Sequence, residues 1–263
     1  MLAVHEKAVK QPKIISVVNQ KGGVGKTTTA VNLAAGLALA ERQTLIVDLD
    51  PQGNATTGLG IEKAGLSPTV YHVLVEGEAP DKAISPTALP FLRLLCSDID
   101  LVGAEIELVG MDHRERRLEA ALSRLQSKYD FVIVDCPPSL GLLTINALTV
   151  ADSVLVPLQC EFYALEGLAH LLRTVNLVKQ RLNPRLAIEG IVLTMFDGRT
   201  SLTLQVRDEV KRHFPGQIFE TVIPRNVRLT EAPSHGKPVM LHDVRSSGSV
   251  AYLELTREIL GHA

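Results

Sequence analysis

Short apolar segments alternate with longer stretches of helical periodicity along most of this chain. Runs rich in valine, isoleucine and leucine, which are typical of buried strands, occupy residues 14–18, 43–47, 91–96, 129–135, 153–157, 187–194 and 218–224. Apolar residues recur at helical spacing over residues 28–40, 100–109, 112–127, 141–148, 165–181, 201–214 and 250–260. Such alternation predicts an α/β fold, with a mostly parallel twisted sheet, right-handed crossovers and helices on both faces.

Two stretches interrupt this alternation. Residues 55–90 are punctuated by glycine, proline and threonine and predict an irregular excursion, with a weak helical pattern at 70–75. Residues 225–234 predict a polar loop. Within the helix at 112–127, one apolar face carries Leu118, Ala121, Leu122 and Leu125. The arginines of that helix are expected to face solvent.

A glycine-rich loop at residues 19–29 joins the first predicted strand to the first predicted helix. Glycines allow successive backbone N–H groups to turn toward one anion, and the positive end of the following helix faces the same point. Lys26 supplies a cation for the β- and γ-phosphates of a nucleotide, and the Thr27 hydroxyl suits a magnesium ion. The expected phosphate cradle is Gly22, Gly23, Val24, Gly25, Lys26, Thr27 and Thr28.

The spacing of this loop departs from the usual phosphate-binding pattern. A glycine is expected at position 20, where Gln20 stands, and Lys21 is an additional lysine at the start of the loop. The loop therefore predicts a P-loop nucleotide hydrolase with a deviant form of the motif.

Carboxylates follow two of the predicted strands, at the edge of the sheet where α/β proteins bind ligands. Asp48 and Asp50 follow the strand at 43–47, and Asp135 ends the strand at 129–135. Asp135 is expected to hold magnesium, often through a water. Asp48 is interpreted as supporting magnesium or the loop. The candidate magnesium residues are thus Thr27, Asp50 and Asp135.

The sequence favours ATP over GTP as the nucleotide. Thr194 and Asp197 resemble a guanine-reading motif only loosely, because Met195 stands where that motif has a lysine.

Composition limits the choice of function. The 263 residues suit one α/β domain, with residues 1–12 expected to be a flexible leader and residues 13–263 the domain. The formal net charge is −2, so binding to DNA or to an acidic membrane would need a local basic patch. Three well-separated cysteines favour a reducing cytoplasm. No run approaches the roughly 18 apolar residues of a membrane span, which predicts a soluble protein.

Four motifs, at residues 21–27, 48–54, 135–139 and 224–234, resemble those of the ParA/Soj chromosome-partitioning ATPases. The resemblance extends from Lys13 to about Leu260 and implies a P-loop ATPase that uses ATP and Mg²⁺. It implies an ATP-sandwich homodimer in which Lys21 reaches the partner subunit's phosphates. It also implies that Asp50 orients the attacking water.

The resemblance further places Pro224 and Asn226 beside the adenine. It implies slow hydrolysis that is stimulated by a ParB-type centromere-binding protein, in a switch that segregates chromosomes or plasmids and acts on the nucleoid.

Relatives of this kind bind double-stranded DNA without sequence preference through arginines near the end of the fold. The matching residues here are Arg199 and Arg228, with Arg225, Lys211 and Lys237 as further candidates. From residue 187 onward, nine lysines and arginines are balanced by nine aspartates and glutamates, so an ordinary solvated surface is the competing interpretation. The resemblance predicts DNA binding only in the ATP-bound dimer.

Three alternatives stay open at the level of the sequence. A MinD-like membrane regulator shares the deviant loop but needs a basic amphipathic C-terminal helix, and Arg257 is the only basic residue in 250–260. A redox ATPase like the nitrogenase iron protein would use Cys96 and Cys136 to share a metal cluster. A DNA-binding scaffold with an inactive nucleotide site is disfavoured because the expected catalytic residues Lys21, Lys26 and Asp50 are all present.

Overall fold

The computed structural model describes residues 11–125 and 128–262 of the chain. Most of the predicted leader, residues 1–10, lies outside the described residues, as do Gln126 and Ser127. The strands are β1 (Lys13–Val17), β2 (Thr44–Asp48), β3 (Ile84–Pro86), β4 (Leu92–Leu95), β5 (Phe131–Asp135), β6 (Ser153–Gln159), β7 (Ala187–Phe196) and β8 (Ile218–Pro224). The α-helices are α1 (Lys26–Leu39), α2 (Asn54–Gly58), α3 (Leu101–Glu107), α4 (Arg117–Ser123), α5 (Leu142–Val150), α6 (Ala164–Arg181), α7 (Ser201–His213), α8 (Val227–Glu231), α9 (Val239–His242) and α10 (Ser247–His262).

The eight strands form one sheet in the order β3-β4-β2-β5-β1-β6-β7-β8. All neighbouring pairs are parallel except β3 and β4, which are antiparallel. β1 lies in the interior, between β5 and β6. Because β2 lies to one side of β1 and β6 to β8 lie to the other, the carboxyl end of β1 is a topological switch point, where such sheets bind ligands. The predicted α/β fold with a mostly parallel sheet is confirmed.

Helices cover both faces of the sheet, as predicted. Ile15 of β1 and Ile133 of β5 belong to the core that contains α1 and α10. Val132 and Val134 of β5 belong to the opposite core, with α5 and α6. Strands that are buried on both faces have continuous apolar sequences, which explains why they could be found from sequence.

A close contact between α1 and α10 fixes the helix that starts in the glycine-rich loop. A Cβ atom at Gly36 would lie 2.2 Å from Oγ1 of Thr256, so only glycine allows the two helices to approach this closely. Nearer the loop, the hydroxyl oxygens of Thr29 and Tyr252 lie 3.1 Å apart. The C-terminal helix therefore helps to position the nucleotide-binding helix.

Both stretches that were predicted to be irregular contain regular elements. Residues 55–90 include most of α2 and all of the antiparallel edge strand β3. The predicted loop at 225–234 contains α8 and most of a 3-10 turn, Ala232–His235. Asn226 caps α8, because its Oδ1 accepts a hydrogen bond from the backbone N of Arg228 at 2.8 Å. Elements of about one turn are stabilised by caps and tertiary contacts, so periodicity did not reveal them.

The helix predicted to carry four arginines is shorter than expected. His113 has a φ of 53°, in the left-handed region, and α4 begins only after a 3-10 turn. The predicted buried face is confirmed for Leu118, Ala121, Leu122 and Leu125. The expectation of solvent-facing arginines is wrong for Arg116 and Arg117, which donate hydrogen bonds to the carbonyl oxygens of Leu182 (2.7 Å) and Leu74 (2.8 Å).

Candidate active site

The strand register brings the predicted carboxylates to the glycine-rich loop. Asp135, at the end of β5, pairs with Val17 of β1 on one side and with Asp48 of β2 on the other. The loop continues directly from β1, so it lies beside both carboxylates. A cleft of about 380 Å³ opens here. Its lining includes Gly22, Gly23, Gly25, Lys26, Thr27, Thr28 and Asp50.

The loop has the backbone geometry of an anion cradle. Gly23 and Gly25 have φ angles of 76° and 87°, which side chains other than glycine's rarely adopt. Left-handed glycines within a loop turn successive backbone N–H groups toward the concave side of that loop. Here the concave side lies at the N-terminus of α1, where the helix dipole also favours an anion. Val24 faces the core instead, and its carbonyl oxygen accepts a hydrogen bond from the Thr194 hydroxyl at 2.8 Å.

Lys26 is a buried cation that is held against the loop. Its Nζ donates a hydrogen bond to the carbonyl oxygen of Lys21 at 3.0 Å. Burial lowers the pKa of Lys26, and the nearby carboxylates of Asp135 and Asp50 partly oppose that shift. A phosphate in the cleft would also favour the charged form of this lysine.

Asp135 is a buried carboxylate with no hydrogen-bond partner for either oxygen among the described residues. Burial and the neighbouring charges of Asp48 and Asp50 raise its pKa well above the ordinary value, whereas Thr27 and Lys26 act in the opposite direction. Native proteins rarely leave such atoms unsatisfied. Unpartnered carboxylate oxygens beside a threonine hydroxyl and a phosphate cradle fit a hard divalent cation.

Asp48 is equally buried but fully engaged by the protein. Its Oδ2 accepts hydrogen bonds from the backbone N and the hydroxyl of Thr56, both at 2.8 Å, and its Oδ1 accepts one from the backbone N of Asp50 at 3.2 Å. Burial raises the pKa of Asp48 to about 6, despite these hydrogen bonds. Of the two roles predicted for Asp48, the geometry favours supporting the loop.

Asp50 lies in the wall of the cleft with one oxygen anchored. Its Oδ1 accepts a hydrogen bond from the backbone N of Gln52 at 2.9 Å, and its own carbonyl oxygen accepts one from the Ser97 hydroxyl at 2.8 Å. These contacts fix the carboxylate opposite Lys26 and Thr27, across the same cleft. The structure thus brings all three candidate magnesium residues to one place.

A second cleft, of about 110 Å³, adjoins the loop at Gly25 and Thr28 and is lined by Pro224 and Asn226. The two residues predicted to lie beside a base are therefore next to the phosphate cradle. Both ends of the Asn226 amide are already engaged, since Oδ1 caps α8 and Nδ2 donates to the Ser247 hydroxyl at 2.7 Å. These contacts fix the orientation of the Asn226 amide and leave the second N–H of Nδ2 as its remaining donor.

Sequence reasoning missed several residues of this second cleft. Tyr252, from α10, and Met195, at the end of β7, also line it. Met195 has a φ of 50°, a conformation that is unusual for a non-glycine residue and that clusters at functional sites. The incomplete guanine-like motif was the only signal here. Asp197 of that motif forms hydrogen bonds with Arg199, at 2.8 Å from both Nε and Nη2, which leaves it poorly placed to read a guanine.

Lys21 is oriented away from the phosphate cleft. Its ammonium group forms an ion pair with Glu161, in the loop between β6 and α6, and both side chains are exposed. Its backbone N is held by Oδ1 of Asn19 at 3.0 Å. Lys21 therefore does not complete the site of its own subunit in this conformation.

Of the five predicted DNA-contact residues, Arg199, Arg225 and Arg228 follow the adjacent strands β7 and β8 at the carboxyl edge of the sheet, whereas Lys237 lines a separate cleft with Thr28 and Asn32. Hydrogen bonds from Arg199 lower the pKa of Asp197 to about 2, and the charge of Arg225 acts in the same direction. Arg228 follows in α8. Lys211 lies apart, with its Nζ 3.9 Å from Glu220 in the first half of β8, about 13 Å along the strand from Pro224. The structure therefore separates Lys211 from the three arginines.

The arginines of this surface are largely neutralised by neighbouring carboxylates. Arg228 forms ion pairs with Glu231 at 2.7 Å and with Asp243 at 3.3 Å, and Arg199 is paired with Asp197. Exposed pairs of this kind are worth about 0–1 kcal/mol, so phosphates could displace these carboxylates at small cost.

The structure bears on two of the alternative functions, the redox ATPase and the membrane regulator. The cysteines Cys96, Cys136 and Cys160 are free and buried, which does not suit a metal cluster shared at a subunit surface. Within residues 11–125 and 128–262, no helix combines the length and the apolar character needed to cross a bilayer.

Comparison with known proteins identifies a matching family model and similar proteins. The family model described as an AAA domain matches residues 12–188. The chain is 56% identical to the chromosome partitioning protein ParA of Myxococcus xanthus over 248 residues, which cover 94% of this chain and 88% of that protein. It is 57% identical to the sporulation initiation inhibitor protein Soj of Bacillus subtilis over 247 residues, which cover 94% and 98%.

A solved structure of a similar protein contains a bound nucleotide analogue. The cobyrinic acid a,c-diamide synthase of Mycobacterium smegmatis, with a bound ATP analogue and magnesium, is 39% identical to this chain, with a TM-score of 0.85 and 95% of each chain covered.

Proposed function

This chain belongs to the ParA/Soj family of chromosome-partitioning ATPases, and we propose that it is an ATP-dependent switch for DNA segregation. The observation that carries the proposal is the position of Lys21, which is part of a complete phosphate cradle but points out of its own cleft. A cation in that position can act on a nucleotide held by a second subunit. The M. smegmatis protein is named as a cobyrinic acid a,c-diamide synthase, not as a partitioning protein. Its sequence is 39% identical to this chain, whereas the ParA relative is 56% identical, so the ParA relative is the better guide to function.

The chemistry we propose is hydrolysis of ATP to ADP and phosphate, with Mg²⁺ as cofactor. Phosphoryl transfer depends chiefly on positioning and on stabilising charge. The backbone N–H groups of the loop and Lys26 would bind the β- and γ-phosphates, and Thr27 and Asp135 would hold the metal, with Asp50 as a further candidate ligand. Bound magnesium offsets the negative charge of the phosphates.

Asp50 would position the attacking water, since it lines the phosphate cleft and, among the described residues, only its Oδ1 accepts a hydrogen bond. Pro224 and Asn226 would lie beside the adenine. Each active site would be completed by Lys21 of the other subunit, so that dimerisation and the nucleotide state form one equilibrium.

The dimer would bind double-stranded DNA, because it places two copies of a weak basic surface side by side and the binding free energies of their contacts with DNA phosphates add. Contacts with phosphates carry no sequence preference. We place Arg199, Arg225 and Arg228 at this surface and Lys211 at its margin. Slow hydrolysis, stimulated by a ParB-type protein, would then release the DNA and act as the switch on the nucleoid.

The test is to compare sizing chromatography and DNA binding of the full chain in the presence of ADP and of ATP. The proposal requires a monomer with ADP, and with ATP a dimer that binds DNA of unrelated sequences equally. A chain that stays monomeric with ATP, or that binds DNA equally in both nucleotide states, would overturn it.

Replacing Glu161 with glutamine should favour the dimer. The substitution frees Lys21 from an exposed ion pair worth about 0–1 kcal/mol, so the ATP concentration for half-maximal dimerisation should fall by up to about fivefold. The matched control is Asp81→Asn, which breaks the similarly exposed pair with Lys128 and should change nothing. Weaker dimerisation of Glu161→Gln would mean that Glu161 acts across the subunit interface.

Replacing Arg228 with glutamate should abolish DNA binding and leave ATP-driven dimerisation intact. The new carboxylate would stand beside Glu231 and Asp243, so the surface would repel phosphates. Arg212→Glu is the matched control, since Arg212 is an exposed arginine in an ion pair with Glu209. Filter binding at several salt concentrations measures the effect. Loss of dimerisation together with DNA binding would place Arg228 in the nucleotide site or the interface.

A further inference from the structure

Helix α3 is apolar on two opposite faces, one buried and one exposed. The buried face consists of Leu101, Ala104 and Leu108. The exposed face, here called the α3 stripe, consists of Val102 and Ile106 of α3, with Ile99 just before the helix and Val109 in the 3-10 turn that follows it. At 3.6 residues per turn, Val102 and Ile106 lie about 40° apart on the helix surface, one turn above the other.

The α3 stripe is unusual for a surface helix. Its four side chains are between 51% and 76% exposed, whereas the outer face of such a helix is normally polar. Single exposed apolar residues are common, but contiguous ones mark interaction sites. The helix is already anchored through its opposite face, so the stripe is not needed for folding.

Acidic residues border the α3 stripe on both sides. Helical spacing places Glu105 on one side of the stripe and Asp100 and Glu107 on the other, and Asp98 and Asp112 lie just beyond the two ends of the helix. Residues 94–113 contain no lysine or arginine, and the nearest basic side chain in the contacts of the stripe is Arg114, which donates a hydrogen bond to the carbonyl oxygen of Val109 at 2.8 Å, at the C-terminal end of the stripe. In the part of the chain that the structure describes, none of these five carboxylates forms an ion pair with a basic side chain.

Three of these carboxylates are held in place by hydrogen bonds, and Asp98 accepts its hydrogen bond from the Thr69 hydroxyl at 3.2 Å. Glu107 accepts one from the Tyr71 hydroxyl at 3.1 Å, and Glu105 accepts one from the backbone N of Leu143 at 3.3 Å. A border that is already ordered loses little side-chain entropy when a partner binds. The arrangement thus offers an apolar strip with an ordered carboxylate on each side.

Helix α3 is connected to the segment that leads out of the nucleotide site. Leu143 is in the first turn of α5, the helix that follows Asp135, and Pro138 between them lines the phosphate cleft. The contact of Glu105 with Leu143 therefore links α3 to the segment that leads out of the site.

We propose that the α3 stripe is a docking surface for a basic amphipathic helix of another protein. Apolar side chains at helical spacing would cover the stripe, and flanking lysines or arginines would meet the carboxylates on each side. A second copy of this chain fits poorly, because two stripes paired about a twofold axis would bring their acidic borders together. The stripe is only about 15 Å long, which predicts a weak, transient complex.

The experiment uses the full, nucleotide-free chain and a fluorescein-labelled synthetic helix of leucine and lysine, with leucines at i, i+3, i+4 and i+7. Fluorescence anisotropy should show binding of this peptide. A matched peptide with glutamate in place of lysine, and a scrambled leucine–lysine peptide, should bind at least about tenfold more weakly.

The decisive variant combines Val102→Ser and Ile106→Ser, which should weaken peptide binding by about tenfold or more. Both residues are exposed, so the fold should be retained. The control combines Leu177→Ser and Val244→Ser, which are exposed apolar residues elsewhere, and should bind as the wild type does. Asp100→Asn with Glu107→Gln should weaken binding and reduce its dependence on salt.

Three results would overturn the proposal. The serine pair could bind the peptide as tightly as the wild type, or the glutamate peptide could bind as well as the lysine peptide. The serine pair could also lose ATP-driven dimerisation, which would make the stripe a subunit interface. Because the peptide is tested without nucleotide, failure here is distinct from failure of the proposed ATP switch.

Discussion

Replacing Asp135 with asparagine is expected to stabilise the metal-free, nucleotide-free protein by roughly 1–3 kcal/mol at pH 8. The Asp135 carboxylate is fully buried, and within the described residues neither of its oxygens accepts a hydrogen bond. Its raised pKa means that ionisation opposes folding. Urea unfolding of the two proteins in EDTA measures the difference in the free energy of unfolding.

The stabilisation of Asp135→Asn relative to the wild type, measured as a difference in the free energy of unfolding, should increase with pH. An aspartate in the unfolded chain has a pKa near 3.9, and burial raises the pKa of Asp135 well above that in the folded protein. Below the unfolded value both states are protonated and the substitution should have little effect. As the pH rises above it, the unfolded state releases the proton first, so the wild type loses stability while the variant does not. The advantage of the variant should therefore grow between about pH 4 and the raised pKa.

The same substitution should lower magnesium-dependent ATP hydrolysis by about 100-fold or more, because the carboxylate proposed to hold the metal would be gone. A site that costs stability and supports activity is typical of a functional centre. Asp48→Asn is the matched control. It would point an amide N–H at the backbone N of Asp50, and should not share the gain in stability. An Asp135→Asn variant that is less stable at pH 8 would show that the carboxylate has a structural role.

The parts of the site that could be predicted from sequence are those in which the functional residues and the pattern of the local secondary structure lie in the same short segment. The glycine-rich loop between a strand and a helix located Lys26 and Thr27, and an apolar strand ending in a carboxylate located Asp135. Parallel strands that end at one edge then brought these residues together. Each of these signals lies within about ten neighbouring residues.

Other parts depend on contacts between distant segments, which one sequence does not reveal. Tyr252 reaches the second cleft because Gly36 lets α10 approach α1, and Glu161 meets Lys21 across a gap of 140 positions. The sequence predicted α3 as a helix, but a pattern that is apolar on both faces does not show which face is buried. Only the tertiary structure identified the exposed one.

Replacing Asp50 with alanine should reduce ATP hydrolysis by about 100-fold or more, since placing a water or a proton contributes about 10²–10⁴-fold to such reactions. Nucleotide binding should persist, because the loop and Lys26 are unchanged. The side chain of Asp50 accepts a hydrogen bond from Gln52, and the Ser97 contact uses the Asp50 carbonyl, which alanine retains. We expect the variant to accumulate as an ATP-bound dimer on DNA, as measured by sizing chromatography and phosphate release.

Asp50→Asn separates the charge of this residue from its shape. Asparagine can still accept the hydrogen bond from Gln52, so a loop that needed only this contact would keep its activity in Asp50→Asn and lose it in Asp50→Ala. If the negative charge is what orients the water, both variants should be inactive and dimeric. Activity in the asparagine variant, or a monomer in the alanine variant with ATP, would remove Asp50 from the proposed role. The water would then have to be positioned by another group in the cleft, and Gln52 and Asn54 line it as well.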